Sequence, residues 1–230
     1  MKKLTPGMHI RVVSPSASIE HIGGFEANLA AKERLEKLGF TVSFSEHYLE
    51  NDMLGSASIE SRVADIHAAF ADESVDAILA TIGGFNCNEL LPYLDFELIA
   101  RNPKIFCGYS DTTALLSAIY SKTGMKTYMG PSYSSFKMDA LQDYQTESWL
   151  KAVSQTSYEL TPSEKWGDNA WYLPDAPLTF HETEWKVYHH GQAQATAIGG
   201  NLSTFSLLRG TPYAPTDENY VLFVEEAGGR

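Results

Sequence analysis

One short segment has the residue types and spacing of a nucleophilic serine site. Ser110 follows the apolar run 104–107 in a Gly-x-Ser turn, and helix-forming sequence follows it directly. This order of strand, sharp turn, serine and helix is the layout of a nucleophile elbow. The amide of Asp111 and the helix N-terminus can then stabilise an oxyanion. The fifth position is Thr112 rather than the glycine usual in such elbows, so a structural turn serine is the simpler interpretation of this segment alone.

Two further turn motifs follow predicted strands. Ser14–Ser16 ends the strand 9–13, and Gly83–Asn86 follows the apolar run 77–81. A continuous apolar run of this kind is typical of a buried parallel strand. Because the carboxyl ends of parallel strands lie at one edge of a sheet, both motifs can converge with Ser110. The double glycine in the second motif is either a simple turn or part of an oxyanion or substrate-backbone site.

Short apolar runs alternate with helical patterns over the first two-thirds of the chain. The predicted strands are 9–13, 40–44, 77–81, 104–107 and 126–129, and the predicted helices are 25–38, 59–70, 88–94, 112–120 and 142–153. This alternation predicts an α/β fold in which helices cover both faces of a parallel sheet.

The composition changes from about Thr161. Tryptophans and tyrosines crowd among glycines and prolines, and then come an extended run 194–198, a short helix 202–208 and a strand 220–224. We predict a flavodoxin-like N-terminal α/β domain over residues 1–160, a linker with an aromatic loop over 161–175, and a smaller β-rich C-terminal domain over 176–230. The last of these is marginal for an independent core, so we expect a truncated domain that starts near Pro174.

Bulk composition limits the function classes. The chain has 230 residues, of which 43% are hydrophobic and 20% charged, as in globular soluble proteins. Its net charge of −12 argues against nucleic acid or an anionic membrane surface as a partner. Two cysteines without Cys-x-x-Cys spacing argue against a disulfide framework or a zinc site. With no apolar signal segment, membrane-spanning run, ligand cluster or phosphate-cradling glycine loop, we predict a cytoplasmic protein that needs no metal or organic cofactor.

The ordered motifs together resemble the LD-carboxypeptidase family of serine peptidases, peptidase family S66. Within that family they are most similar to the branch of microcin C immunity proteins. The matching segments are Val13–Ser16, Ile82–Asp95, Gly108–Thr113, Trp166–Asp168, Trp171–Tyr172, Gly199–Leu202, Gly210–Tyr213 and Leu222–Glu226. They follow the order of the family and span nearly the whole chain. The Asn-Cys-Asn after the double glycine and the tryptophan loop favour the immunity branch. The murein-recycling branch usually has arginine where this chain has Ile82.

The resemblance implies a Ser-Glu-His triad. Ser110 would be the nucleophile, Glu225 would orient the histidine, and the amides of Asp111 and Gly84 would form the oxyanion hole. Residues that the resemblance places near substrate are Gly83, Phe85, Asn86, Trp171, Trp185 and Asn201. The two tryptophans would stack on an aromatic part of the substrate, although they could equally be core residues. The asparagine can also cap the helix that follows it, and the two roles are compatible.

The histidine of the triad has no counterpart in this chain. In the family it lies several tens of residues beyond the glutamate, and none of the seven histidines matches its motif. The implied reaction is hydrolysis of an amide next to a terminal residue, with a peptidyl- or aminoacyl-nucleotide as substrate. Two alternatives are a murein tetrapeptide LD-carboxypeptidase and an inactive fragment or binding module. The family commonly forms homodimers, so the expected partners are a small peptide or peptidyl-nucleotide substrate and a second copy.

Overall fold

The computed structural model describes residues 2–172 and 177–226. The predicted boundary between linker and C-terminal domain, at residues 175 and 176 with Pro174 beside it, lies outside these residues. The proposed division into domains therefore stays a prediction. No helix in residues 2–172 and 177–226 is long and apolar enough to cross a membrane.

The elements alternate through most of the chain. The strands are β1 (His9–Val13), β2 (Thr41–Phe44), β3 (Ala77–Ala80), β4 (Ile105–Gly108), β5 (Tyr128–Met129), β6 (Lys165–Trp166), β7 (His181–Glu182), β8 (Thr196–Asn201) and β9 (Tyr220–Glu225). The α-helices are α1 (Gly24–Ala27), α2 (Leu29–Lys37), α3 (Ile59–Ala71), α4 (Phe96–Arg101), α5 (Thr113–Thr123), α6 (Gln142–Ser154) and α7 (Leu202–Leu207). Short 3₁₀ helices cover Ile19–Ile22, Cys87–Tyr93, Ser110–Thr112 and Tyr133–Lys137.

Strands β1 to β5 form one parallel sheet in the order β2-β1-β3-β4-β5. This is the strand order of flavodoxin-like folds, whose binding crevice lies at the carboxyl ends of the strands. The predicted α/β fold with a flavodoxin-like sheet is confirmed. The central strands β3 and β4 are fully buried, as expected of strands covered on both faces.

Two apolar cores lie on opposite faces of the sheet. On one face, Ile78 and Phe106 pack with residues of α3, α4 and α5, among them Phe70 and Leu115. On the other face, the neighbouring residues Leu79 and Cys107 pack with α2 and α6, where Trp149 is buried. Successive residues of each strand thus enter different cores, which holds the strand ends in fixed positions.

Two predicted helices differ from the structure. The helix predicted over 25–38 is interrupted at Asn28, whose Nδ2 donates to the carbonyl oxygens of Gly24 at 2.7 Å and Ile22 at 3.2 Å. An asparagine side chain that bonds nearby backbone in this way competes with regular helix. The segment predicted as a helix over 88–94 is a 3₁₀ helix containing Pro92, and α4 follows it with Asp95 as its N-cap.

The later part of the chain forms two small sheets. Strands β6 and β7 pair antiparallel, whereas β8 and β9 pair parallel over six residues each. Helix α7 follows β8 directly because Asn201 caps it: its Oδ1 accepts a hydrogen bond from the amide of Thr204 at 3.1 Å. The predicted capping role of Asn201 is therefore confirmed.

Candidate active site

The three predicted turn motifs meet at the carboxyl edge of the main sheet. The loops that follow β1, β3 and β4 lie side by side because these strands are neighbours. The amide of Ala17 donates to the carbonyl oxygen of Gly83 at 3.1 Å, which joins the first two loops. A Cβ on Gly83 would lie 2.8 Å from Ser110 Cβ, which shows how closely the third loop approaches the second. The predicted convergence is confirmed.

Ser110 has the strained backbone of a nucleophile elbow. It has φ 57°, one of two positive values outside glycine in residues 2–172 and 177–226. Such left-handed backbone costs an L-residue about 1–2 kcal/mol and is often stored at functional sites. Gly108 makes the turn possible, because a Cβ there would lie 2.8 Å from Thr112 Cγ2 and 2.9 Å from Ala80 Cβ. The 3₁₀ turn Ser110–Thr112 leads directly into α5, so the serine stands at the start of a helix.

The double glycine lets backbone approach the serine. An added Cβ on Gly83 would lie 2.9 Å from Ser110 Oγ, and one on Gly84 would lie 2.1 Å from Ser16 Oγ. Gly84 has φ 158° and is half-buried, whereas Gly83 is buried. A side chain at Gly83 would fill the space beside the Ser110 hydroxyl, whereas one at Gly84 would clash with Ser16 of the first loop. Phe85, directly after the pair, is 90% exposed, whereas the side-chain Nδ2 of Asn86 donates to Ser56 Oγ at 2.8 Å.

Two buried charged side chains at this edge are absent from the sequence-based prediction. Asp111 was predicted only through its backbone amide, yet its carboxylate accepts from Ser16 Oγ at 2.6 Å and from the amide of Cys87 at 2.8 Å. Arg62 of α3 donates to the carbonyl oxygens of Pro15 and Asn86. A lone arginine within an amphipathic helix carries no sequence signal for such a buried role.

The paired ends of β8 and β9 lie beside the start of α5. The amide of Asn201 donates to Thr113 Oγ1 at 3.0 Å, which fixes the end of β8 against the start of α5. Glu225 is paired with Asn201 across the β8–β9 ladder. Its Oε1 is buried and has no hydrogen-bond partner within residues 2–172 and 177–226. Glu226 instead accepts from the amide of Ser203 at 3.0 Å and from Asn201 Nδ2 at 3.2 Å.

The environment of the elbow is largely desolvated. Burial raises the pKa of the Tyr109 phenol, and the nearby Glu225 carboxylate raises that pKa further. Burial also raises the pKa of Cys107 to about 12 and that of Cys87 well above its usual range. Both thiols are buried and protonated at neutral pH, so neither is a nucleophile.

The aromatic loop borders a cavity at the side of the sheet that carries α1. Trp171 and Phe180 line this cavity of about 430 Å³ together with Lys137 and Ala27. The Lys137 ammonium lies 5.9 Å from the centre of the Trp171 ring. Trp185, which was predicted to act with Trp171, is 72% exposed and does not line this cavity.

Comparison with known proteins identifies the family. A family model described as the LD-carboxypeptidase N-terminal domain of peptidase family S66 matches residues 10–130. This chain belongs to the S66 peptidase family. The crystal structure of an MccF-like protein from Bacillus anthracis has a TM-score of 0.94 and 48% identity, covering 98% of this chain and 69% of that one.

Other S66 relatives match over similar lengths. YocD of Bacillus subtilis is 48% identical over 97% of this chain and 69% of its own length. The microcin C7 self-immunity protein MccF of Escherichia coli is 32% identical over 95% of this chain and 70% of its own length. A structure of MccF in complex with glutamyl sulfamoyl guanosine has a TM-score of 0.90 and 32% identity, with 98% of this chain and 70% of that one covered. The predicted resemblance is thus confirmed at the level of the family.

The S66 site residues predicted from sequence come from two parts of the fold, the edge of the main sheet and the β8–β9 pair. Ser110, Asp111, Gly83 and Gly84 lie together at the sheet edge, and the β8–β9 pair brings Asn201 to the start of α5. Their catalytic roles stay predictions. No group of three or more His, Cys, Asp and Glu side chains that could hold a metal ion occurs in the part of the chain that the structure describes.

A methyl group at Gly83 is expected to block the site without unfolding the protein. In Gly83→Ala the new Cβ would lie 2.9 Å from Ser110 Oγ and displace it. We expect the rate of fluorophosphonate labelling to fall by about 100-fold, since a misplacement of 1 Å has an effect of that order. Overpacking of this kind costs about 1–3 kcal/mol, so the variant should still fold.

The matched control is Gly191→Ala, because no heavy atom lies within 4 Å of a Cβ at that exposed glycine. Labelling kinetics followed by intact-protein mass spectrometry, together with thermal unfolding, separate loss of site geometry from loss of fold. If Gly83→Ala is labelled as fast as the control, the described packing of Gly83 on Ser110 is wrong.

Proposed function

We propose that this protein is a serine hydrolase that cleaves an amide next to a terminal residue, with Ser110 as its nucleophile. The observation that carries the proposal is the strained backbone of Ser110, φ 57°, at the sheet edge and at the start of α5. A serine in a simple turn has no need of this conformation, whereas a nucleophile elbow requires it. Membership of a peptidase family supports the same reaction class.

In the proposed reaction, Ser110 Oγ attacks the substrate carbonyl as a base removes its proton. The negative charge that develops on the carbonyl oxygen is held by the backbone amides of Asp111 and Gly84. The base returns the proton to the leaving amine, and water then hydrolyses the acyl-enzyme. An orienting carboxylate stabilises the protonated base, and we assign this role to Glu225.

The base is the untested member of the proposed triad. None of the histidines in residues 2–172 and 177–226 hydrogen-bonds Ser110 or Glu225. Among the residues that the structure describes, Glu225 Oε1 is buried without a partner, as expected of a carboxylate oxygen that accepts a hydrogen bond from an imidazole N–H. We therefore propose that the base is the triad histidine implied by the family resemblance, and that this histidine lies outside residues 2–172 and 177–226.

The substrate class that we propose is a peptidyl- or aminoacyl-nucleotide. MccF has been solved with glutamyl sulfamoyl guanosine and with aspartyl sulfamoyl adenosine, which join an acidic aminoacyl group to a nucleoside. An MccF active-site mutant replaces a serine, an asparagine and a lysine by alanine, and Ser110 and Asn201 supply the first two residue types here. The cavity at Trp171 and Phe180 offers aromatic faces on which a base can stack. Homodimer formation, too, remains a prediction.

The test measures labelling and hydrolysis with two forms of the protein. One is the 230-residue chain, and the other is the same chain extended by the C-terminal segment of the longer S66 relatives. We expect fluorophosphonate to label Ser110 in the extended form, and that form to hydrolyse aspartyl sulfamoyl adenosine in preference to murein tetrapeptide. Hydrolysis of the tetrapeptide alone would assign the alternative LD-carboxypeptidase activity. Absence of both labelling and hydrolysis in both forms would overturn the enzyme proposal in favour of a binding module.

A further inference from the structure

The three loops of the candidate site are tied together by one buried carboxylate. Asp111 is 3% exposed, and it follows Ser110 directly. Its Oδ2 accepts from Ser16 Oγ at 2.6 Å and from the amide of Cys87 at 2.8 Å. These donors belong to the loops after β1 and β3, whereas Asp111 itself follows β4. A single oxygen atom therefore holds all three strand-end loops at fixed distances.

A buried arginine also holds two of these loops together. Arg62 is 3% exposed, and its Nη1 donates to the carbonyl oxygens of Pro15 at 3.2 Å and Asn86 at 3.1 Å. Its Nη2 pairs with Glu89 at 3.1 Å. Because one guanidinium bonds both carbonyl oxygens, we expect the loops after β1 and β3 to move as one unit. The contacts of Asp111 then set the distance between these two loops and Ser110.

The position of this unit matters for the two proposed oxyanion donors. One is the amide of Asp111, and the other is the amide of Gly84, which lies between Gly83 and the bonded residues Asn86 and Cys87. Ser16 Oγ packs directly on Gly84, since an added Cβ there would lie 2.1 Å from it. The two donors are thus held by the same two hydrogen bonds that end on Asp111 Oδ2.

We propose that the side chain of Asp111 is a positioning residue that sets the distance between the two oxyanion donors through Ser16 and Cys87. The inference rests on the proposed function, since an oxyanion hole has meaning only if Ser110 is acylated. The role is geometric rather than electrostatic, because a negative charge near the hole would oppose the oxyanion. An oxygen acceptor at the place of Oδ2 is therefore sufficient, and its charge is not required.

Two substitutions separate geometry from charge. In the extended form, Asp111→Ala removes the acceptor for both loops, so we expect kcat for aspartyl sulfamoyl adenosine to fall about 10-fold to 100-fold with little change in KM. Asp111→Asn keeps an oxygen that can accept from both donors, and we expect its kcat to stay within about fivefold of wild type, as neutral hydrogen bonds are only about half as strong. Ser16→Ala removes one of the two hydrogen bonds to Asp111, so its kcat should lie between those of Asp111→Asn and Asp111→Ala.

The fraction of protein that fluorophosphonate labels distinguishes misfolding from a displaced oxyanion hole. Rates are divided by the final fraction of protein labelled with fluorophosphonate, and thermal unfolding is measured for each variant. A merely structural role would lower the labelled fraction and the Tm but leave kcat per labelled serine unchanged. Asp143→Ala, at an exposed position of α6, is the matched control for removal of a carboxylate.

The double variant of Ser16→Ala and Asp111→Ala completes the test. Because both changes break the same contact, we expect the double variant to be no slower than Asp111→Ala alone. If Asp111→Ala keeps wild-type kcat per labelled serine, or if Asp111→Asn is as slow as Asp111→Ala, the positioning role is overturned. Ser110→Ala serves as the reference: if it hydrolyses substrate as wild type does, the proposed function itself has failed.

Discussion

Ser110→Ala is expected to remove hydrolysis and fluorophosphonate labelling while leaving the fold intact. Loss of the nucleophile in a serine triad lowers kcat by about 10⁶-fold. The alanine retains the left-handed backbone at position 110, because that conformation is imposed by the turn between β4 and α5 rather than by the hydroxyl. The variant should therefore unfold at nearly the same temperature as wild type. Mass spectrometry after labelling and hydrolysis of aspartyl sulfamoyl adenosine provide the two measurements.

A second substitution at the same position tests whether the strain serves function. Ser110→Gly also lacks the nucleophile, but glycine adopts φ 57° without the cost that alanine carries. Left-handed backbone costs about 1–2 kcal/mol in an L-residue, and the extra backbone entropy that glycine loses on folding offsets about 0.5–1 kcal/mol of that gain, so we expect Ser110→Gly to melt about 2–4 °C above Ser110→Ala. Equal melting temperatures would show that position 110 is not strained. Labelling that persists in either variant would show that another residue is the nucleophile.

The sheet of this protein could be predicted from its sequence because each strand carries its own signal. The apolar run that becomes β3 is buried on both faces, and such a run leaves few alternatives to a parallel strand. Turn residues directly after β1, β3 and β4 then indicated the site, since neighbouring parallel strands end at one edge. Local patterns were sufficient for that inference.

Contacts between distant residues were not predictable in the same way. The bond between Ser16 and Asp111 joins residues that are 95 positions apart, and no periodicity relates them. Arg62 lies on α3, where a charged residue in the sequence looks like any solvated one, yet it is buried and bonded to the loops after β1 and β3. Helix α4 was missed because the 3₁₀ helix Cys87–Tyr93 ends only two residues before Asp95, which caps a new helix. Long-range packing decided the first two of these features, whereas the start of α4 depends on a local cap.

Glu225→Gln is expected to lower the activity of the extended form and to raise the stability of the 230-residue chain. An amide holds the base in the wrong tautomer, so kcat in the active form should fall by about 10²-fold to 10⁴-fold. In the 230-residue chain Oε1 of Glu225 is buried without a partner in the part that the structure describes. An unpaired buried oxygen costs about 1–3 kcal/mol and more when it is charged, so the neutral amide should raise Tm by about 2–4 °C.

The neighbouring glutamate is the matched control. Glu226 accepts hydrogen bonds from Ser203 and Asn201, and these bonds lower the pKa of its carboxyl. In Glu226→Gln the charge that strengthens these bonds is lost, so we expect Tm to fall where Glu225→Gln raises it. A decrease of Tm in both variants of the 230-residue chain would mean that Glu225 already has a partner there.

The extended form makes the sign of the Glu225 effect diagnostic of the triad. If a histidine donates to Oε1 in that form, the carboxylate is paired and no longer destabilises the fold. Removing one partner of a buried, charged hydrogen bond is costly, so Glu225→Gln should then lower Tm rather than raise it. The change of sign between the two forms requires a new donor at Glu225 and does not follow from a general gain of stability on extension. An increase of Tm in both forms would exclude Glu225 as the residue that orients the base.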